Sequence, residues 1–251
     1  MLDYLLDFVI GLGIGVIAGL FGVGGGFLIV PTLVFLGVPV HVAVGTSLAC
    51  IVLSSLSAGI THIRKGAVLY RVVLVKEVFS APTAVLGAYM SSLLPEAYLK
   101  LIFAFLLLYL ALQMWKGKEK TDYGMGGDQS GEVGETKTFR VAVVGVLAGL
   151  TSGLLGISGG VLNVPLFHTY IGIPMRYAVG TSSLALFFTA LAGSIGHYRL
   201  GQLDVHTAFL LAPGLIVGAR IGALLVHRAH PEHLRRAFAI ILVIVALKML
   251  L

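Results

Sequence analysis

Charge is scarce in this chain. Asp, Glu, Lys and Arg together make up 11% of its 251 residues, where a soluble domain would carry about 25%. That leaves too little polar surface to coat a globule in water. There is a single cysteine, Cys50, so an intrachain disulfide is excluded, and Cys50 reads as a small buried hydrophobe. Three catalytic or nucleotide signatures are also missing: H-E-x-x-H, a run of intramembrane carboxylates, and G-x-x-x-x-G-K-[ST]. Their absence speaks against zinc hydrolysis and a self-contained ATP-driven pump, and no acidic ring suggests a cation channel. The N-terminal "MLDYLLDFVI" holds Asp3 and Asp7 but no Lys or Arg. It is therefore expected to be a first membrane segment rather than a signal peptide.

What is abundant is apolar length. Hydrophobic residues make up 58% of the chain, and runs of 18 or more recur, each a transmembrane candidate. The reading is an all-α polytopic membrane protein. The formal charge of +6 falls mostly at segment ends, where it sets topology, so nucleic acid is not expected as a partner.

Four apolar segments, roughly 2–37, 40–62, 78–94 and 96–115, precede a polar stretch at 116–140 with five basic residues, five acidic residues and six glycines. That stretch reads as a solvated linker. The pattern then restarts. "GLFGVGGGFLIVP" (19–31) returns as "GLLGISGGVLNVP" (153–165), and "GVPVHVAVGTS" (37–47) as "GIPMRYAVGTS" (172–182). "HIRKG" (62–66) returns as "HYRLG" (197–201), and "APTAVLGA" (81–88) as "APGLIVGA" (212–219). The chain is expected to hold two repeats, 1–115 and 141–251, a pattern typical of transporters.

The doubled G-x-G-G-x-x-x-x-P, the "VGTS" and the H-x-R-x-G resemble the TauE/SafE family of sulfite exporters over nearly the whole chain outside the linker. The resemblance implies an integral membrane transporter of sulfite, a sulfonate or a related small anion, with no cofactor. The alternative from a different class is a membrane-embedded enzyme acting on a small anionic or lipid substrate.

Segment 2–37 as one helix would be about 54 Å long against a hydrocarbon core of about 30 Å. It is expected to break at "GVGGG", leaving a half-helix near 27–36. Its free amides and partial positive charge would suit an anion. Gly24, Gly25 and Gly26 are thus candidate binding residues, with Ser158, Gly159, Gly160 and Asn163 in the second copy. Close helix packing is the competing explanation, and it is the favoured one for the glycines of "GLGIGVIAG" and for Gly145 and Gly149. Thr46, Ser47, Thr181 and Ser182 are read as N-caps of helices starting near 48 and 183. Their hydroxyls would either donate to an anion or back-bond within a helix.

His62 with Arg64 and His197 with Arg199 end apolar runs. They read as interfacial anchors or as a basic vestibule able to couple protons. Arg220 is the deepest charge by position, and Lys76 and Glu77 are expected at an interface. The basic loop 63–76 and the linker are expected in the cytoplasm. A fold-back of the broken segment would invert the two copies, and the charge count favours that.

Overall fold

The computed structural model describes residues 2–116, 135–157, 159–225 and 231–250. The described residues are helical throughout the regular elements, with no strand among them. The helices are α1 (Leu2–Phe21), α2 (Gly26–Phe35), α3 (Val40–Arg64), α4 (Tyr70–Leu93) and α5 (Glu96–Lys116). After them come α6 (Glu135–Leu155), α7 (Gly160–Leu166), α8 (Met175–Arg199), α9 (Val205–Leu225) and α10 (Pro231–Leu250). α7 runs on into a π-helical turn at Phe167–Ile171. Among the described residues, five helices are long and apolar enough to cross a bilayer: α3, α4, the Thr138–Leu155 part of α6, α8 and α9.

Two boundaries differ from the sequence reading. The helix expected at 78–94 begins at Tyr70, because "YRVVLVKE" holds no residue that stops a helix and its charges alone had suggested a loop. Likewise Glu135–Arg140, expected in the linker, form the start of α6.

The long first segment breaks where glycine accumulates. Gly24 and Gly25 have φ of 74° and 86°, and Gly159 has φ of 56°, backbone that costs other L-residues about 1–2 kcal/mol. Gly25 and Gly159 are the residues that open α2 and α7.

Glycine faces then set the packing. A methyl on Gly11 of α1 would stand 2.6 Å from the Leu211 carbonyl of α9, and one on Gly15 2.6 Å from that of Leu215. In the same way a methyl on Gly145 of α6 would stand 2.6 Å from the Lys76 carbonyl of α4, while Gly149 and Gly153 meet the Ser80 and Ala84 carbonyls. Such small-residue seams let backbones touch, which is how helices associate when lipid removes the hydrophobic drive between them. Ala84 meets Gly153 as Ala219 meets Gly19, whereas the "APTAVLGA"/"APGLIVGA" alignment sets Ala84 beside Leu215, one helical turn away.

In both seams the contacts ascend together, so α1 runs parallel to α9, and α6 to α4. α3 and α8 form the centre and run antiparallel, with Gly59 against Leu184 and Leu48 against Gly193. Ser57 of α3 bonds the Ile216 carbonyl of α9, and Thr46 bonds the Asp204 amide just before α9, so α3 also parallels α9. Since α1 and α3 then point the same way, the chain must turn back through α2. Large apolar side chains such as Phe105 and Phe209, each 75% exposed, cover the outside, as expected where lipid is the solvent.

Candidate functional site

The two glycine breaks meet at the centre of the bundle. A methyl on Gly26 would collide with the Gly156 carbonyl, and one on Gly160 would lie 2.8 Å from Val23 Cα. Serines cross-tie them: Ser47 Oγ donates to the Gly156 carbonyl at 2.9 Å and Ser182 Oγ to the Gly22 carbonyl at 3.0 Å. Ser54 Oγ donates to the Gly24 carbonyl at 3.1 Å. Gly24, Ser54, Ser55 and Ser183 line a crevice too narrow to admit a water molecule. The arrangement is closed.

Thr46, Ser47, Thr181 and Ser182 lie inside α3 and α8, not at their starts. The helices begin at Val40 and Met175, directly after Pro39 and Pro174. Proline at the threshold of a helix is the stronger start signal, since its missing N–H costs nothing there. The "GTS" residues serve contacts instead. Thr46 Oγ1 accepts the Asp204 N–H at 2.9 Å and Thr181 Oγ1 the Leu69 N–H at 3.0 Å. Gly45 and Gly180 make room for the same loops, at Gln202 and Ala67.

Asn163 stands out. It is fully buried in α7, and neither Nδ2 nor Oδ1 has a hydrogen-bond partner among the described residues; the same holds for Ser152 Oγ in α6. An unpaired buried polar group costs about 1–3 kcal/mol. In the matching sequence of the first half these places hold Ile29 and Ala18, both of which lie against Gly25. Ser158 lies outside the described residues.

The basic candidates separate by burial. His62 and His197 are buried, while Arg64, Arg199 and Arg220 are exposed. His197 is a clasp: its ring nitrogens lie 2.9 Å from Gln202 Oε1 and 2.8 Å from the Gly153 carbonyl. Arg220, expected to be the deepest charge, lies on an exposed face of α9.

Among the described residues the most buried Lys, Arg, Asp or Glu is Lys76, expected from the sequence at an interface. Its side chain is 0% exposed, and Nζ donates to Glu77 Oε1 at 2.7 Å and to Thr189 Oγ1 at 2.6 Å. Thr189 Oγ1 lies 2.9 Å from both Glu77 oxygens, and Ser80 Oγ lies 3.0 Å from Thr189 Oγ1. The one signal that could have found this cluster was the lack of any helix breaker between Tyr70 and Ser80. Among the described residues no group of three or more His, Cys, Asp or Glu is placed to hold a metal ion.

The family profile described as "Sulfite exporter TauE/SafE" matches residues 7–249. The chain is 29% identical to the "Probable membrane transporter protein YunE" of Bacillus subtilis, over 99% of this chain and 98% of that protein. It is 30% identical to a "Probable membrane transporter protein" of Haemophilus influenzae, over 98% of each. To the "Probable membrane transporter protein MJ0441" of Methanocaldococcus jannaschii it is 27% identical, over 97% of this chain and 94% of that protein. No solved structure matches.

Proposed function

The chain belongs to the sulfite exporter TauE/SafE family of membrane proteins, and on that premise we propose that it is a secondary transporter exporting a small sulfur oxyanion, sulfite or a sulfonate. The names of its relatives point to membrane transport rather than to an enzyme. The observation that carries the reading is the meeting of two broken segments beside a fully buried, unpartnered Asn163 amide. Polar groups left unpaired in a core are held there for a ligand or for water.

The anion is bound where the breaks meet. Gly24, Gly25 and Gly26 bring it to the start of α2, whose partial positive charge favours it. Gly159, Gly160 and Asn163 supply donors from the other half. Ser47 and Ser182 tie the breaks together in the closed form, and their hydroxyls become available when the halves part.

The two halves act as inverted copies related by an axis in the membrane plane. The antiparallel run of α3 and α8, and the return of the chain through α2, support this reading. Inverted copies rock against each other to expose one site to alternate sides. With the linker and the basic loop after α3 in the cytoplasm, Arg64 and Arg199 stand at opposite faces, each drawing anions to its own mouth. The scheme uses no cofactor or nucleotide.

Purified protein in sealed liposomes tests it. Labelled sulfite should cross unconsumed, and Asn163→Val should lower the flux at least tenfold while leaving thermal stability equal or higher, since an unpaired amide is removed. Absence of wild-type flux for sulfite and a panel of sulfonates would sink the function. Full flux in Asn163→Val would sink the site.

A further inference from the structure

The Lys76–Glu77 pair sits far from either end of the bundle. Thr189, which it bonds, is the fifteenth residue of the 25 in α8, about 21 Å along a helix of about 37 Å. α4 does not begin level with the start of α8 either, because the Leu69 amide is bonded to Thr181, nearly two turns into α8. Lys76 is therefore near the middle of the bundle along its helices. Ionisable residues at that depth are costly and mark substrate or ion pathways.

The fold also holds a control for what the pair contributes to packing. The α1–α9 seam repeats the α6–α4 seam in register, with Leu211 where Lys76 stands and Leu215 where Ser80 stands. The next position, Glu77, corresponds to Ala212. Leucine and alanine make the same helix contact, so the charges are not needed for it. The pair is also near the proposed site. Leu186 of α8 touches Gly160 at the start of α7, and Thr189 is one turn further along the same helix. Lys76, Glu77, Ser80, Thr189, Asn163 and Ser152 thus stand on one side of the duplicated scaffold, and the charged pair has no counterpart on the other.

Resting on the transport reading, we infer that Lys76 takes the charge of the transported oxyanion, and that Glu77 keeps its place when the site is empty. A singly charged anion, a sulfonate or hydrogensulfite, displaces the Glu77 carboxylate from the Lys76 ammonium. The freed carboxylate takes up one proton from the aqueous side then open. The loaded site holds Lys76 cationic, the anion, and Glu77 neutral, so its net charge equals that of the empty site. One proton accompanies each anion. No other titratable group competes among the described contacts: α6 presents Gly145 and Gly149, and α8 presents Thr189. On α4, Arg71 is exposed and more than a turn away.

The test uses the full chain in liposomes with labelled methanesulfonate outside and a pH-sensitive dye inside. Methanesulfonate is the anion of a strong acid, so its own protonation cannot move the dye. Wild type should carry about one proton per anion. Glu77→Gln should still carry the anion but without the proton. Lys76→Met should carry neither. Lys76→Met/Glu77→Gln removes both charges together, so it should fold and melt like wild type, yet show at least tenfold less flux. Wild-type flux and proton ratio in that double variant would overturn the inference and leave the transport reading standing. Wild-type flux without protons would overturn it as well. If wild type moves neither methanesulfonate nor sulfite, the transport reading itself falls and takes the inference with it.

Discussion

The serine ties between the two breaks give a measurable switch. Replacing Ser47 by Ala removes the hydroxyl that donates to the Gly156 carbonyl, and replacing Ser182 removes the donor to Gly22. Each loss leaves a buried carbonyl short of a donor, at about 1–3 kcal/mol. Once the halves part, water can satisfy both carbonyls, so the penalty acts on the closed form alone. Taking the lower end, about 1 kcal/mol for each, opening rises about fivefold in either single variant and about 30-fold in the double. The protein carries its own reporter, because Cys50 is the single cysteine of the chain and is fully buried. It lies on α3 between Ser47 and Ser54, both of which bond to a glycine break. Maleimide labelling of Cys50 in detergent or liposomes should accelerate by those factors while the melting temperature still shows folded protein. A labelling rate within twofold of wild type in Ser47→Ala/Ser182→Ala, alongside a lowered melting temperature, would refute the reasoning. The ties would then persist in every conformation and could not gate anything.

Two neighbouring glycines of α1 should respond in opposite directions. Gly15 faces the α9 backbone and Gly13 has nothing within 4 Å of an added methyl. Gly15→Ala should lose about 1–3 kcal/mol to overpacking, whereas Gly13→Ala should gain up to about 1 kcal/mol from helix propensity, both read by thermal melts. Asp204 caps α9 by accepting bonds from the Thr207 hydroxyl and from the Thr207 and His206 amides. The Thr207 hydroxyl first, then the two amides, hold its carboxyl below the ordinary value against an opposing effect of burial. A depressed native value means the stabilisation is complete above about pH 4 and fades as the pH falls through the native value. Asp204→Ala should therefore cost about 1 kcal/mol at pH 7, and the gap to wild type should shrink on acidification below about pH 4.

Some of this was legible in the sequence for plain physical reasons. The break at "GVGGG" followed from length, because 36 apolar residues cannot all be one span. The seams at Gly11, Gly15, Gly145 and Gly149 followed from spacing, since residues four apart share a helix face. The burial of Lys76 was not legible, because a charge beside an apolar run reads as the end of a span, and one sequence does not say when a charge has a partner. Thr189, which completes that cluster, is 112 residues away from Glu77, and no local pattern links them. Thr46 and Ser47 were misread because small hydroxyl residues are good caps in general. Here Pro39 had already started the helix, and the hydroxyls were free to reach across to other elements.

The helix seams also decide how the chain can be divided. α1 of the first half finds its close partner in α9 of the second, and α4 of the first half in α6 of the second. Neither half therefore owns a finished fold, and a fragment ending after α5 would leave Lys76 without Thr189 and the α1 glycine stripe without α9. Two complementary fragments made together have every mate they need, whereas either fragment made alone has lost its scaffold.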